Sequence, residues 1–183
     1  MKRTVAWLIL TLLAAGTAAA GDRVLLAAAL SYLNPSDAGY RDIYGGRVFF
    51  PEAWAGLRVA GGLHLLGGYG WFTKKGTTPD LGLEAKSTQS FFWGGLGYVG
   101  NVTRMVKFKV EAGAAGFRYK EEAMDRVVSG SALGFRAGAG VLVLSRVAFS
   151  GFEFGYIGAS DTAEDVKIKL GGLRATVSAG VKF

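Results

Sequence analysis

The sequence predicts an all-β protein, an eight-stranded antiparallel up-and-down transmembrane β-barrel. Segments rich in Val, Leu, Phe, Tyr and Gly recur along the chain, with apolar character that alternates every second residue. The connections between these segments alternate strictly between long polar stretches and short ones. Within the clearest segments the large apolar side chains share one face, and small or charged side chains share the other. This arrangement fits a barrel whose outside faces lipid.

Residues 1–20 precede the barrel and are predicted to be a signal peptide. Lys2 and Arg3 form a charged start, the stretch from Val5 to Ala15 is apolar, and Ala18 and Ala20 place small residues before Gly21. A membrane anchor is the alternative, because the apolar run is nearly long enough to span a bilayer. The small-residue site favours cleavage. The predicted domains are therefore the signal peptide, 1–20, and the barrel, 21–183.

Composition excludes several other classes of protein. The chain has 183 residues, of which 29 are glycine and three are proline, and it has no cysteine and one histidine. It is too apolar for a disordered chain, and its glycine lacks the period of collagen. Without cysteine there is no disulfide scaffold, thiolate zinc site or thiol nucleophile. The net charge of +7 is spread without a basic cluster along the sequence, so we expect no nucleic-acid partner. With no cysteine and one histidine, His64, we also expect no metal, and we expect no cofactor.

The predicted strands follow in order after residue 21, where no apolar run is long enough for a transmembrane helix. They lie at about 23–34, 47–60, 63–74, 86–100, 106–120, 131–145, 147–159 and 166–183.

The predicted connections divide into two sets. Consecutive connections of an up-and-down barrel fall on opposite rims, so one rim carries all the long loops and the other all the tight turns. Bacterial outer-membrane barrels have short periplasmic turns and longer external loops. The predicted long loops are Pro35–Gly46, Lys75–Ala85, Glu121–Gly130 and Ser160–Asp165. The predicted short turns are Gly61-Gly62, Asn101–Met105 and Ser145-Arg146.

Face patterns support four of the strands directly. In the third strand, Leu63, Leu65, Tyr69 and Trp71 oppose His64, Gly68 and Gly70. In the sixth, Leu133, Phe135, Val141 and Val143 oppose Arg136, Gly138 and Gly140. In the seventh, Phe152, Phe154 and Tyr156 oppose Glu153, and in the eighth Leu173, Val177, Val181 and Phe183 oppose Arg174, Thr176 and Ser178.

The fourth and fifth strands give weaker patterns. The fourth is ambiguous around Phe91, Phe92 and Trp93, where three large aromatic side chains are consecutive. The fifth is predicted to slip from one face to the other near 113–116, at a β-bulge. Six aromatic residues are predicted to form an interfacial girdle, with the alternative that some of them, Trp54 especially, fill the lumen. They are Trp54, Tyr69, Trp71, Trp93, Tyr98 and Tyr156.

With these features the mature chain resembles the small eight-stranded outer-membrane barrels, such as OmpX and the membrane domain of OmpA. The likeness lies in pattern, and its most specific part is the terminal apolar-x-aromatic element Val181-Lys182-Phe183. Ser178 stands where the family's pattern often has glycine. In the family, such a strand is the signal that the outer-membrane assembly machinery recognises. The resemblance therefore implies that Val181 and Phe183 form an assembly signal.

The resemblance also implies a location and partners. The location is the bacterial outer membrane, reached by secretion through the inner membrane. The implied partners are outer-membrane lipid and lipopolysaccharide, the assembly machinery, periplasmic chaperones and an unidentified extracellular ligand of the loops.

Charged residues on the predicted inward faces indicate a lumenal network. A charge that faced lipid at the bilayer midplane would cost about 2–4 kcal/mol, so these side chains are expected inside. Arginine can bind two carboxylates at once, which suits a network in a narrow lumen. The network would either plug the barrel or gate a narrow conductance. Its predicted members are Glu52, Arg58, Glu111, Arg136, Glu153 and Arg174.

Enzymatic barrels that modify lipid A share this scaffold, but the sequence does not favour an enzyme. Such a site needs a histidine to activate a serine, and His64 has no serine two positions away on its strand. The leading prediction is a structural or surface-interacting barrel with a plugged lumen. The alternative is a narrow gated channel or a transporter of small solutes or hydrophobic compounds, and a lipid-modifying enzyme comes third.

Overall fold

A computed structural model describes residues 23–79, 81–123, 126–163 and 166–183. The predicted signal peptide, residues 1–20, lies outside the described residues. The elements are β1 (Val24–Pro35), α1 (Ala38–Tyr44), β2 (Val48–Ala60), β3 (Leu63–Thr77), β4 (Glu84–Asn101), β5 (Val106–Ala123), β6 (Arg126–Leu144), β7 (Ala148–Ala163) and β8 (Val166–Lys182).

The eight strands form one closed barrel in chain order. Each strand pairs antiparallel with the next, and β8 returns to pair with β1, from Leu25 opposite Lys182 to Pro35 opposite Gly172. No strand of the barrel is an edge strand, as a barrel in lipid requires. The predicted fold is confirmed.

The alternation of side chains sets a broad apolar belt on the outer wall. Leu133 is 82% exposed, and Phe135, Phe154, Leu173 and Val177 are each more than half exposed. Large apolar side chains that face outwards in this number would be unfavourable in water, and they match a lipid environment. The predicted outward faces of the third, sixth, seventh and eighth strands are thus confirmed.

The strands extend further than predicted on the rim opposite the short turns. Most of the residues assigned to the third and fourth long loops belong to strands, and so do the two ends of the second, where residues 78–83 remain between strands. Polar side chains of these extensions pair across strands, as Glu122 does with Lys86, whose Nζ lies 3.4 Å from Glu122 Oε2. The predicted third and fourth long loops were therefore wrong and the second was too long, because strand pairing continues through residues whose polar composition is typical of loops.

The first long connection folds into a short helix, α1, which the sequence analysis did not predict. Asp37 caps its start by accepting a hydrogen bond from the Tyr40 amide at 3.0 Å. Gly45, with a φ of 82°, ends it. Tyr40 and Tyr44 are buried at the mouth of the barrel. No helix within the described ranges is long and apolar enough to cross a membrane.

The ambiguous strands are regular in the structure. In β4, Phe91 and Trp93 point inwards, whereas Phe92 is 55% exposed. In β5 the register with both neighbours is continuous, so the predicted slip near 113–116 was wrong. Small residues occupy both faces of β5 there, so the sequence shows no difference in side-chain size or polarity that would assign the faces. The register shift of this kind lies in β2, between Arg58 and Ala60.

Candidate functional site

Six charged side chains meet inside the barrel, and we call them the charged layer. Each is at least 93% buried, and each stands on an inward-facing position of its strand. Three are carboxylates and three are cations, so the layer is neutral when all are ionised. Its members are Glu52 of β2, Lys109 and Glu111 of β5, Arg136 of β6, Glu153 of β7 and Arg174 of β8.

Arg136 binds all three carboxylates of the charged layer. Its Nη1 lies 2.5 Å from Glu52 Oε1, its Nη2 lies 3.3 Å from Glu153 Oε1, and its Nε donates to Glu111 Oε1. The guanidinium carbon also lies 3.5 Å from the centre of the Trp93 ring. A planar guanidinium suits this position, because its fork holds several acceptors while its face stacks on an aromatic ring.

Arg174 makes a second set of contacts to the same carboxylates. Its Nη1 donates to Glu52 Oε2 at 2.8 Å, and its Nη2 donates to Glu153 Oε1. The same Nη2 lies 3.7 Å from Glu111 Oε1. The two arginines therefore share their acceptors, so removing either one would leave carboxylates without part of their neutralising charge.

Among the three carboxylates of the charged layer, Glu52 binds side chains from the largest number of strands. Besides both arginines, it accepts hydrogen bonds from Ser31 Oγ at 3.0 Å and from Trp93 Nε1 at 2.8 Å. Ser31 in turn lies 2.8 Å from Thr176 Oγ1. Strands β1, β2, β4, β6 and β8 are thus joined through one carboxylate, which ties distant parts of the wall together across the lumen.

Lys109 belongs to the charged layer, and the sequence analysis missed it. Its Nζ lies 2.9 Å from Glu111 Oε2 and 2.5 Å from Glu153 Oε2, and it sits over the Trp54 ring at 4.6 Å. The signal was present, since Lys109 lies two residues from Glu111 and so shares its face.

Arg58 does not join the charged layer, contrary to the sequence prediction. It is exposed at the short-turn end of β2, where its Nε donates to the carbonyl oxygen of Gly61 at 2.5 Å. Six residues of strand separate it from Glu52, which is about 20 Å along the strand. Side-chain alternation correctly placed Glu52 on the inner face of the sheet. It could not show how far along the barrel axis Arg58 lies from the other charges.

Apolar side chains lie on both sides of the charged layer. Towards α1, Phe91 packs against Phe50 and Phe117, with ring centres 5.3 and 5.7 Å apart. Towards the short turns, Trp54 packs against Phe149 at 5.6 Å. Trp54 and Trp93 are both buried inside, so these two aromatic residues take the lumenal alternative and do not join the girdle. The charges are therefore held in a buried layer, where breaking an ion pair is costly because the remaining charge stays buried.

A cavity of about 240 Å³ opens at the short-turn end of the lumen. Arg58, His64 and Lys107 contribute polar groups to its lining, and Leu142 and Phe149 contribute apolar ones. His64 is 4% exposed, and its Nδ1 lies 2.9 Å from the carbonyl oxygen of Gly62. The position of His64 near the short-turn rim agrees with the sequence analysis.

The predicted assembly signal closes the seam between β8 and β1. Val181 stands between Leu26 and Ala148 in the sheet. Phe183 donates from its amide to Val24 O at 2.9 Å, and its carbonyl oxygen accepts from the amide of Val24 at 3.0 Å. These contacts give the last residues a structural role in closure, while their recognition by an assembly machinery stays a prediction.

A lysine substitution distinguishes the structural assignment from the sequence-based one. Replacing Lys109 with methionine is expected to lower the free energy of unfolding by about 1–3 kcal/mol, because Glu111 and Glu153 lose a buried donor. Replacing Arg58 with methionine is expected to change it by less than about 0.5 kcal/mol. Urea unfolding of the two variants in detergent measures both values. Equal effects would contradict the inclusion of Lys109 in the charged layer and the exclusion of Arg58 from it.

Solved structures show the same fold. The N-terminal β-barrel domain of Pseudomonas aeruginosa OprF has 14% identity and a TM-score of 0.56, and the match covers 88% of this chain and 98% of that one. Ail, the attachment invasion locus protein of Yersinia pestis, has 16% identity and a TM-score of 0.51, over 88% and 97%. Neisserial surface protein A has 17% identity and a TM-score of 0.53, over 87% and 96%.

No protein-family profile and no curated protein sequence matches the chain. At these sequence identities the structural likeness shows the fold, and it agrees with the predicted location in the bacterial outer membrane. Together with the closed eight-strand topology and the apolar outer wall, it identifies the chain as a small eight-stranded β-barrel of the outer-membrane type.

Proposed function

We propose that the protein is a closed structural barrel of the outer membrane that interacts with its surroundings through its outer surface. One observation carries the proposal: a neutral layer of six buried charges fills the middle of the lumen, between apolar layers on both sides. An eight-stranded barrel leaves an interior just wide enough for side chains. Within this barrel those side chains pair with one another, which disfavours a continuous water-filled path.

Opening such a lumen would be energetically costly. A path for solutes requires that Arg136 or Arg174 leave carboxylates in a region shielded from water. Breaking one partner out of a buried ion pair typically costs about 3–5 kcal/mol, because the remaining charge stays buried. The shared acceptors of the two arginines mean that one movement breaks several contacts at once.

The extracellular end supports a role at the surface. Helix α1 covers the mouth through Tyr40 and Tyr44, whose rings lie 4.6 Å apart. Burial, together with the nearby charge of Glu121, raises the pKa of Tyr44 to about 12, so this phenol stays neutral at any pH that the cell surface meets. The strand extensions beside the helix present polar side chains outwards. We propose that the extracellular ligand binds to α1 and to these strand extensions.

The remaining partners follow from the proposed location. Periplasmic chaperones would carry the unfolded chain, and the assembly machinery would recognise the strand that ends in Val181 and Phe183. Outer-membrane lipid and lipopolysaccharide would then surround the apolar belt.

Solute flux tests the closed lumen. Liposomes that contain the refolded protein are expected to swell in arabinose no faster than protein-free liposomes. A variant with alanine at Glu52, Arg136 and Arg174 serves as the control that removes half of the charged layer, and liposomes that contain it in folded form are expected to swell faster. Swelling by the unaltered protein that depends on protein concentration would argue against a closed barrel.

A narrow gated channel, or a transporter of small solutes or hydrophobic compounds, is the second candidate. The cavity of about 240 Å³ at the short-turn end favours it, because this space reaches part of the way into the barrel. Swelling of liposomes that contain the unaltered protein, with faster swelling after Arg136→Ala, would favour the channel or transporter over the closed barrel. A lipid-modifying enzyme lacks a comparable observation, and an unchanged lipid A mass profile in expressing cells would count against it.

A further inference from the structure

Four cations form a cluster on the outer wall, above the apolar belt and across strands β3, β4 and β5. We call it the basic patch, and its members are Lys75, Lys86, Arg118 and Lys120. All four side chains are exposed. They occupy the same outward positions as Phe92, which is 55% exposed in the apolar belt. Alternation along the strands therefore directs the cations towards lipid headgroups and away from the lumen.

The strand register arranges the patch in three successive rows. Moving outwards from the belt, the paired positions are Ser90 with Arg118, Thr88 with Lys120, and Lys75 with Lys86. The first and third rows are four residues apart, which is about 14 Å along the strands. The patch thus begins at the edge of the apolar belt and extends well beyond it.

The patch carries more positive charge than its paired acid neutralises. Among the described residues the structure pairs it with Glu122, whose Oε2 lies 3.4 Å from Lys86 Nζ and whose Oε1 accepts from Lys120. Lys75 and Lys86 face each other directly across β3 and β4. Like charges in such a pair are destabilising, and the single carboxylate of Glu122 is shared between Lys86 and Lys120. A bound polyanion would remove that repulsion.

We propose that the basic patch binds the phosphate groups of a phosphorylated glycolipid in the outer leaflet, namely lipopolysaccharide. This site deepens the proposed function and rests on its outer-membrane location. The patch lies on the rim opposite the short turns, which is the extracellular rim of such barrels. Arg118 can grip one phosphate with two parallel hydrogen bonds, and the lysines supply point charges for another.

The height of the patch favours a glycolipid over a phospholipid. A phospholipid places one phosphate at the edge of the hydrocarbon region, which the first row alone would satisfy. The second and third rows lie where the sugars of a glycolipid stand. Thr73 and Thr88 place neighbouring hydroxyl groups in the second row, 3.2 Å apart, and these can bond to sugar or phosphate oxygens.

Calorimetric titration of the refolded barrel with purified lipopolysaccharide tests the site. The variant K86Q/R118Q/K120Q is expected to bind about a hundredfold more weakly, since each of the three cations near an anionic lipid surface contributes on the order of 1 kcal/mol. The matched control K167Q/K169Q removes two exposed lysines of β8, on the other side of the barrel, and is expected to bind like the unaltered protein. Lipopolysaccharide stripped of its phosphates should bind as weakly as the triple variant does.

Three results would overturn the assignment. The first is unchanged affinity in a triple variant whose unboiled gel mobility shows that it is folded. The second is an equal loss in the β8 control. The third is equally tight binding to phosphatidylglycerol vesicles, which would reduce the patch to a general attraction for anions. Cell fractionation separates this test from the proposed function, because a barrel found outside the outer membrane would contradict the location while the binding measurement still decides the chemistry.

Discussion

Replacing Arg136 with alanine is expected to lower the free energy of unfolding by about 3–5 kcal/mol, which is a large fraction of the stability of a small protein. The side chain neutralises Glu52, Glu111 and Glu153 and stacks on Trp93. Its removal leaves three buried carboxylates with two cations. Urea unfolding of the refolded barrel, followed by tryptophan fluorescence, measures the change directly, because Trp93 contacts the substituted site.

Two controls make the Arg136 result specific. Arg104→Ala removes an exposed arginine at a short turn and is expected to leave the unfolding midpoint within experimental scatter. Arg136→Lys keeps the charge but loses the fork, so an intermediate loss is expected. An unchanged midpoint for Arg136→Ala would mean that the buried charges do not stabilise the barrel.

Deleting Phe183 is expected to abolish most of the outer-membrane yield while leaving secretion across the inner membrane intact. Its backbone bonds to Arg23 and Val24 at the seam where β8 meets β1, and its ring completes the terminal apolar-x-aromatic element. Loss of the residue weakens closure at the last step of barrel formation. Immunoblots of periplasmic and outer-membrane fractions measure both quantities.

Phe183→Tyr serves as the matched control for the deletion, because it keeps an aromatic ring and every backbone bond. It is expected to assemble normally. A normal outer-membrane yield after the deletion would contradict an assembly role for the terminal strand, and a loss before the periplasm would point to a defect in secretion.

The architecture was predictable because its chief signals are local. Strict alternation in β6 and β8, and the short turns between strand pairs, can be read from neighbouring residues. The outward extensions could not be read in this way. Residues such as Lys75, Glu122 and Ser129 are polar on a wall that extends beyond the membrane, so they lack the apolar contrast that marks a strand.

The charged layer was partly predictable for a related reason. Alternation assigns Glu52, Glu111 and Arg136 to the inner face, but it gives no height along the barrel. Height depends on the pairing register, which decides that Lys109 reaches Glu153 while Arg58 remains at the rim. The basic patch was not predictable for the same reason. Lys75 and Lys86 are separated in sequence and become neighbours only through the β3–β4 register.

The measurement that tests the closed lumen most directly is planar-bilayer conductance of the refolded protein, in a preparation whose gel mobility differs before and after boiling. A folded barrel with an intact charged layer is expected to give no discrete current steps. Reproducible steps from the folded protein would contradict a plugged lumen. If Arg136→Ala then altered those steps, the charged layer would have to be a gate.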